Sequence, residues 1–248
     1  MPAADVLPRA PAGDQVNEST HTWATPHGNP VVIITRDDTA DAALVDGLLN
    51  GDEYRLKQLG QLGGVALDIG AHVGTISLAL LADHPGLSVV AVEPIPENVA
   101  LIRQSGASWE RLGRLTVLTA AASDTTDPVR ISFDYTHHDG TEASYVHQNR
   151  FVGGIWRAGY EGRHVTVPGV TLRGLAHDYA PDGFSLVKID AEGAEYPFLE
   201  DGAELAQVIV GEWHDGDSTR IRQLLEPTHD FQVLDDHGGT GIFRAFRR

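Results

Sequence analysis

Apolar positions fall into two kinds of run that alternate from about residue 65 onward. Short unbroken runs suit strands buried on both faces: Val65 to Ile69, Ser88 to Glu93, Arg114 to Leu118, Phe184 to Ile189 and Val208 to Trp213. Helical spacing fills the gaps, over about Val73 to Ala82, Pro96 to about Ser105, Leu172 to Tyr179, about Ala194 to Asp201 and Ser218 to Leu225. Pro96 sits where a first helical turn tolerates proline. This rhythm predicts an α/β fold built on a doubly wound parallel sheet. The chain closes on two runs, Phe231 to Leu234 and Gly241 to Phe246, parted by the turn at Asp235 to Gly239, which together read as a hairpin.

The flanks follow a different pattern. Residues 1–20 are rich in Ala, Pro and polar residues without period and read as a mobile arm. Val31 to Thr35 predicts a strand, and Asp38 to about Leu62 carries helical spacing broken into two helices at Gly51-Asp52. From Pro128 the rhythm lapses: Val129 to Phe133 and Val165 to Val167 read as strands around a polar, glycine-rich stretch reaching Tyr160. That stretch holds Tyr135, His137, His138, Tyr145, His147, Trp156 and Tyr160. It is expected to be an insertion at about 128–168, either covering a substrate or simply a flexible connection. The organisation expected is an arm followed by one domain, 21–248.

Composition narrows the class. A hydrophobic fraction of 42% is that of a globular protein, and no apolar run approaches membrane-spanning length. The N-terminus shows no signal-peptide core, so cytoplasm is the expected location and no membrane partner is expected. The chain has no cysteine, which excludes disulfides, thiolate zinc sites and cysteine nucleophiles. Thirty-five acidic against eighteen basic side chains leave a net charge of -17, which would repel a polyphosphate, so no nucleic acid partner is expected. The basic end Arg244 to Arg248 reads as a solvated tail. Oligomeric state is not expressed in any of these features.

Candidate chemistry starts at Gly70 and Gly74, which permit a tight turn from strand to helix with the helix amides facing whatever occupies it. Glu93 lies twenty-three residues after Gly70, at the end of the next strand, where an acid can accept hydrogen bonds from ribose hydroxyls. It can equally serve as an acidic cap on the next helix. A pyrophosphate would favour a Gly-x-Gly-x-x-Gly turn with positive charge nearby; this turn instead has Asp68, which suits a sulfonium and an ammonium group.

Three signatures resemble the FkbM-type S-adenosylmethionine-dependent methyltransferases, a branch of the class I superfamily: Leu67 to Thr75, Val92-Glu-Pro94 with Asn98, and the more specific run Val187-Lys-Ile-Asp-Ala-Glu-Gly-Ala-Glu195. The family more often has Asn where this chain has His72. The resemblance implies a Rossmann-like, seven-stranded, mostly parallel sheet with an antiparallel C-terminal hairpin. It implies S-adenosylmethionine as cofactor and S-adenosylhomocysteine as product. By position, Asp68, Gly70, His72, Gly74 and Thr75 would meet the methionine part, Glu93 with Pro94 and Asn98 the ribose, and Ala122-Ser123 the adenine. Tyr54 matches a position that can border the cofactor, and Asp190 would lie beside it.

Methyl transfer to a hydroxyl needs alignment and a base or a metal to take the proton. Asp190 and Glu192 at the end of the fourth parallel strand, and Glu212 and His214 at the end of the fifth, are the candidates, with Asp190, Glu212 and His214 in the lead. Glu212 and His214 alternate by two, placing both on one face, and with Asp190 offer either a base or ligands for a divalent ion such as Mg. Lys188 is expected to pair with a buried acid, and Glu192 and Glu195 to flank the next helix. The leading expectation is an O-methyltransferase acting on a hydroxyl of a small molecule, a secondary metabolite or sugar. An N-methyltransferase, a non-catalytic S-adenosylmethionine-binding protein and a metal-dependent hydrolase are the alternatives.

Overall fold

In the computed structural model the alternation of buried side chains splits the core into two layers on opposite faces of one sheet. The structure describes residues 17–37, 39–133, 153–155 (backbone only), 163–214 and 218–248. The N-terminal strands β1 (Glu18–Ala24) and β2 (Pro30–Arg36) form an antiparallel pair, followed by α1 (Asp41–Asn50). Then come β3 (Gly63–Ile69), α2 (Thr75–Asp83), β4 (Gly86–Glu93), α3 (Pro96–Arg111) and β5 (Leu115–Thr119). A smaller sheet joins β6 (Ala121–Ala122), β7 (Pro128–Phe133), β8 (Gly153–Ile155) and β9 (Arg163–Val170) in the order β6-β9-β7-β8. The alternation resumes with α4 (Leu172–Tyr179), β10 (Leu186–Ile189), α5 (Glu195–Glu200), β11 (Val208–Trp213) and α6 (Ser218–Leu225). It ends in β12 (His229–Asp236) and β13 (Gly241–Arg247).

The main sheet has seven strands in the order β12-β13-β11-β10-β3-β4-β5. Five are parallel, and β13 runs antiparallel between β11 and β12. Along β4, Leu87, Val89 and Ala91 enter one layer with α2 and α3, while Val90 and Val92 enter the other with α4, α5 and α6. Period-two side chains on a strand covered on both faces give this result. Helix α2 is buried almost all round, because β2 and α1 cover the side that faces away from the sheet. The expected Rossmann-like sheet with its antiparallel hairpin is thus present.

Several expectations about the flanks need correction. Glu18 to Thr20, assigned to the arm, belong to β1, whose pairing with β2 satisfies its backbone; residues 1–16 lie outside the described residues. The second helix before Leu62 is only a single 3-10 turn, Leu56–Gln58. Asp52 and Arg55 adopt left-handed backbone there, at φ 46° and 56°, and Asp52 Oδ1 accepts the Leu56 amide at 2.7 Å. Helix α3 runs past Ser105 because Gly106 packs against Leu115, where a Cβ would come within 2.3 Å of its Cδ2. Arg244 to Arg247 form part of β13 rather than a tail, with Ala245 buried. The insertion supplies β7, β8 and β9, but Tyr135, His137, His138, Tyr145, His147, Trp156 and Tyr160 all lie outside the described residues.

Candidate active site

Glycine shapes the turn after β3. Gly70 has φ 71°, and a Cβ on it would lie 1.8 Å from the Asp190 carbonyl oxygen, so the turn presses directly on the chain leaving β10. The Gly70 and Ala71 amides both donate to the Val92 carbonyl, at 3.0 and 3.1 Å, and Gly74 (φ 88°) leads into α2 with its Cα against Ile102. Between them His72 takes φ 52°, a left-handed conformation uncommon outside glycine and asparagine.

The ends of β3, β4 and β10 open onto a cavity of about 450 Å³. Of the site residues expected from the sequence, Gly70, His72, Thr75, Glu93, Pro94, Asn98, Ala122, Asp190 and Glu212 line it. Leu44 and Leu48 of α1 form an apolar wall, and Glu53 stands nearby. Asp68, Gly74, Tyr54, Ser123 and His214 stand behind the lining instead.

Glu93 is 4% exposed and firmly oriented. Its Oε2 accepts the His72 amide at 2.9 Å, and its Oε1 accepts the Ile95 amide and Asn98 Nδ2, each at 3.0 Å. Burial raises its pKa, opposed by His72 and these donors. A carboxylate has about four acceptor sites, so three bonds leave one for a hydroxyl donor of a ribose. On that donor count, and with the glycine turn beside it, the site fits an adenosyl cofactor.

Asp68, expected to meet the cofactor, is fully buried and already committed. Its Oδ2 accepts the Ser77 amide at 3.0 Å and the Ser77 hydroxyl at 2.6 Å, and Lys188 Nζ lies 3.5 Å from its Oδ1. Lys188 is therefore the partner of a buried acid, as its sequence context suggests. Its Nζ also donates to the Gly70 carbonyl at 2.9 Å, bracing the turn from beneath. Burial opposes its charge, but Asp68, Asp190 and Glu212 outweigh burial and raise its pKa.

The far side of the cavity concentrates carboxylates. Burial, then repulsion from Asp190 and Glu53, pushes the Glu212 pKa up to about 8. Glu53 is raised for similar reasons. Tyr54 sits beneath Glu212 and donates its hydroxyl to Oε1 at 3.1 Å. Burial and the adjacent acids raise the Tyr54 pKa.

His214 lies one residue beyond β11, with Nδ1 2.9 Å from Glu195 Oε1 and Nε2 3.7 Å from Glu192 and 3.8 Å from Glu212. Burial opposes protonation, but the Glu195 bond and the surrounding carboxylates push its pKa up to about 10. Glu195, itself fully buried, also accepts the Ala191 amide at 2.9 Å and the Gly193 amide at 3.0 Å. It clamps the loop after Asp190 rather than merely flanking α5.

This setting bears on a metal. Among the described residues, Asp190, Glu195 and His214 can bring ligand atoms within 4.8 Å of one another, so Glu195 replaces Glu212 in the expected set. An imidazolium offers no lone pair, and Glu195 is occupied by two amides and the ring. The donor set fits an internal ion pair better than a divalent cation.

Sequence reasoning missed Glu53 in the cavity wall, and the buried pair of Arg36 and Asp41 close to it. Glu53 adjoins Tyr54 and was within reach of the same motif. Arg36 and Asp41 carry no local signal, because a buried ion pair between a strand end and the next helix is visible only in three dimensions.

The model of the methyltransferase FkbM domain matches residues 68–234. The 31-O-demethyl-FK506 methyltransferase FkbM of Streptomyces tacrolimicus is 27% identical over 210 residues, covering 73% of this chain and 74% of that protein. Among solved structures, the T. thermophilus 16S rRNA N2 G1207 methyltransferase RsmC, in complex with AdoMet and guanosine, matches 97% of this chain with a TM-score of 0.50 and 15% identity. The match spans about half of that protein, 53% of its chain. The precorrin-6y C5,15-methyltransferase of Geobacter metallireducens GS-15 matches 80% of this chain and 87% of its own at a TM-score of 0.48 and 14% identity. With its seven-stranded sheet, its glycine turn and its oriented Glu93, the chain belongs to the FkbM methyltransferase family and is an S-adenosylmethionine-dependent methyltransferase.

Proposed function

We propose that the enzyme is an O-methyltransferase acting on a hydroxyl of a small molecule, a secondary metabolite or sugar. The observation that carries this reading is that Asp190 and Glu212 wall the same cavity as Glu93, with Glu212 poised to titrate at about pH 8. A base poised near the working pH suits removal of a hydroxyl proton, which a neutral amine acceptor does not require. The name of the relative, a methyltransferase of 31-O-demethyl-FK506, is in keeping with oxygen as the acceptor atom.

When bound, S-adenosylmethionine supplies an electrophilic methyl group on a good leaving group. Glu93, held by Asn98, would accept a ribose hydroxyl; Gly70, His72 and Thr75 would border the methionine part, and Pro94 and Ala122 the nucleoside, with Ser123 just behind. Asp190 orients the reacting groups, and Glu212, once ionised, takes the acceptor's proton at its carboxylate. His214 acts as the cation that holds Glu195 and the loop carrying Asp190, because its ring already bears the proton a base would need to collect.

Residues 21–248, with β1 from Glu18, are assigned to one catalytic domain. The net charge of -17 disfavours a polyanionic acceptor. No helix among the described residues is long and apolar enough to cross a membrane, and cytoplasm is the proposed location.

Calorimetry with S-adenosylmethionine and S-adenosylhomocysteine is the first test. Absence of binding by both to folded protein would sink the reading. With an acceptor in hand, Glu212→Gln is expected to keep cofactor affinity within about threefold and lower kcat by 10²-fold or more, the range typical of lost general-base catalysis. Near-normal turnover in that variant would favour a nitrogen acceptor.

A further inference from the structure

Glu93 is held by a closed ring of polar groups, half of which comes from outside the 68–234 family match. Arg36, at the end of β2, donates from Nε to Asp41 Oδ2 at 2.7 Å and from Nη2 to Asp41 Oδ1 at 3.2 Å. The same Nη2 donates to Asn98 Oδ1 at 2.7 Å, and Asn98 Nδ2 donates to Glu93 Oε1 at 3.0 Å. On the other side, His72 Nε2 lies 3.4 Å from Asp41 Oδ1 while the His72 amide donates to Glu93 Oε2. Arg36 is 5% exposed and Asp41 2% exposed, so neither is a solvated surface charge.

The chemistry of the ring leaves each member one orientation. Arginine has only donors, so Arg36 can face Asn98 only through the amide oxygen, which turns Nδ2 towards Glu93. An ionised carboxylate has only acceptors, so Asp41 can face His72 Nε2, 3.4 Å from its Oδ1, only as the attracting partner, and it steadies the left-handed residue whose amide meets the other Glu93 oxygen. His72 and Arg36 outweigh burial and hold Asp41 well below the usual carboxylate range.

We propose that Arg36 and Asp41 are positioning residues for the cofactor, setting the Glu93 carboxylate through Asn98 and His72 so that its remaining acceptor site faces the ribose. The inference rests on the role of Glu93 given under Proposed function. It makes the β2–α1 junction part of the cofactor site although neither side chain lines the cavity.

The test measures S-adenosylhomocysteine affinity by calorimetry in wild type, Asp41→Asn, Arg36→Gln and the conservative Arg36→Lys, with circular dichroism to establish folding. Asp41→Asn and Arg36→Gln are expected to bind about tenfold more weakly and to raise the cofactor KM by more than kcat falls. Arg36→Lys, which keeps the charge and some donors, should recover part of the loss. Folded variants that bind within twofold of wild type would overturn the inference alone, whereas a wild type that binds neither S-adenosylmethionine nor its product overturns the functional reading and this one together.

Hydrogen exchange on the wild type covers the case in which the variants fail to fold. S-adenosylhomocysteine should slow exchange of the Arg36 amide, which donates to Asp41, more than that of the Asn29 amide, which donates to Thr25 at the other end of β2. Equal slowing at the two amides would overturn the proposal.

Discussion

His214 and Glu212, whose side chains approach to 3.8 Å, both carry protons at neutral pH, for opposite reasons. The His214 ring gains its proton from carboxylate neighbours, so its folded pKa of about 10 stands above the ordinary 6.5. The stability it contributes is whole below pH 6.5 and is lost as pH rises through about 10. Glu195 is held below the ordinary value, so its share is lost on the acid side as pH falls through that lowered value. Replacing His214 by Gln leaves a buried carboxylate without its cation, and should cost about 3 kcal/mol near neutral pH and far less above about pH 10. Urea unfolding across a pH series checks this; a pH-independent cost would reject the ion pair. Glu212 shifts in the same direction as His214, since the unfolded chain ionises near 4.5 and the folded one near 8, and wild type loses stability as pH rises between them. Glu212→Gln should therefore gain on wild type by an amount on the order of 5 kcal/mol across that window. At this scale the sequence named Asp190, Glu93 and Glu212 as cavity residues from their places at strand ends. It left open both what Asp68 holds and a base role for His214, because neither the Ser77 and Lys188 partners of the one nor the Glu195 partner of the other has a one-dimensional signature.

Elements were legible where burial was two-sided. The runs of β3, β4, β10 and β11 stand out because both faces of each strand are covered, whereas the region 52–62 resists pattern reading because left-handed residues, not spacing, set its path. Gly106 illustrates the limit: a glycine that looks like a stop is instead the point where α3 meets β5. Two glycine substitutions separate tight packing from conformational cost. A Cβ at Gly211 in β11 would lie 2.2 Å from the Ile189 carbonyl oxygen, so Gly211→Ala must part β10 from β11 and should cost about 2 kcal/mol or more. At Gly47 in α1 a Cβ would meet nothing within 4 Å, so Gly47→Ala should stabilise by about 0.5 to 1 kcal/mol. Thermal or urea unfolding of the two variants checks both signs.

Across the whole molecule, a net charge of -17 sets a background of self-repulsion, concentrated further by the acids around the cavity. Added salt should raise the unfolding temperature by screening it, and should slow association of a cationic cofactor that the negative field attracts. Differential scanning calorimetry and stopped-flow binding at graded ionic strength test the two effects, and an insensitive association rate would argue against steering. The overall architecture was readable because strand and helix alternate so regularly; the position of the last hairpin came from resemblance alone, since no periodicity tells which of its strands lies inside. That position bears on how the protein can be made. Because β13 lies between β11 and β12 while following both in the chain, β12 has no finished edge to dock on until residues 241–247 arrive. During synthesis the β11 edge stays open, a template for wrong pairing, and closure of the sheet is a late step.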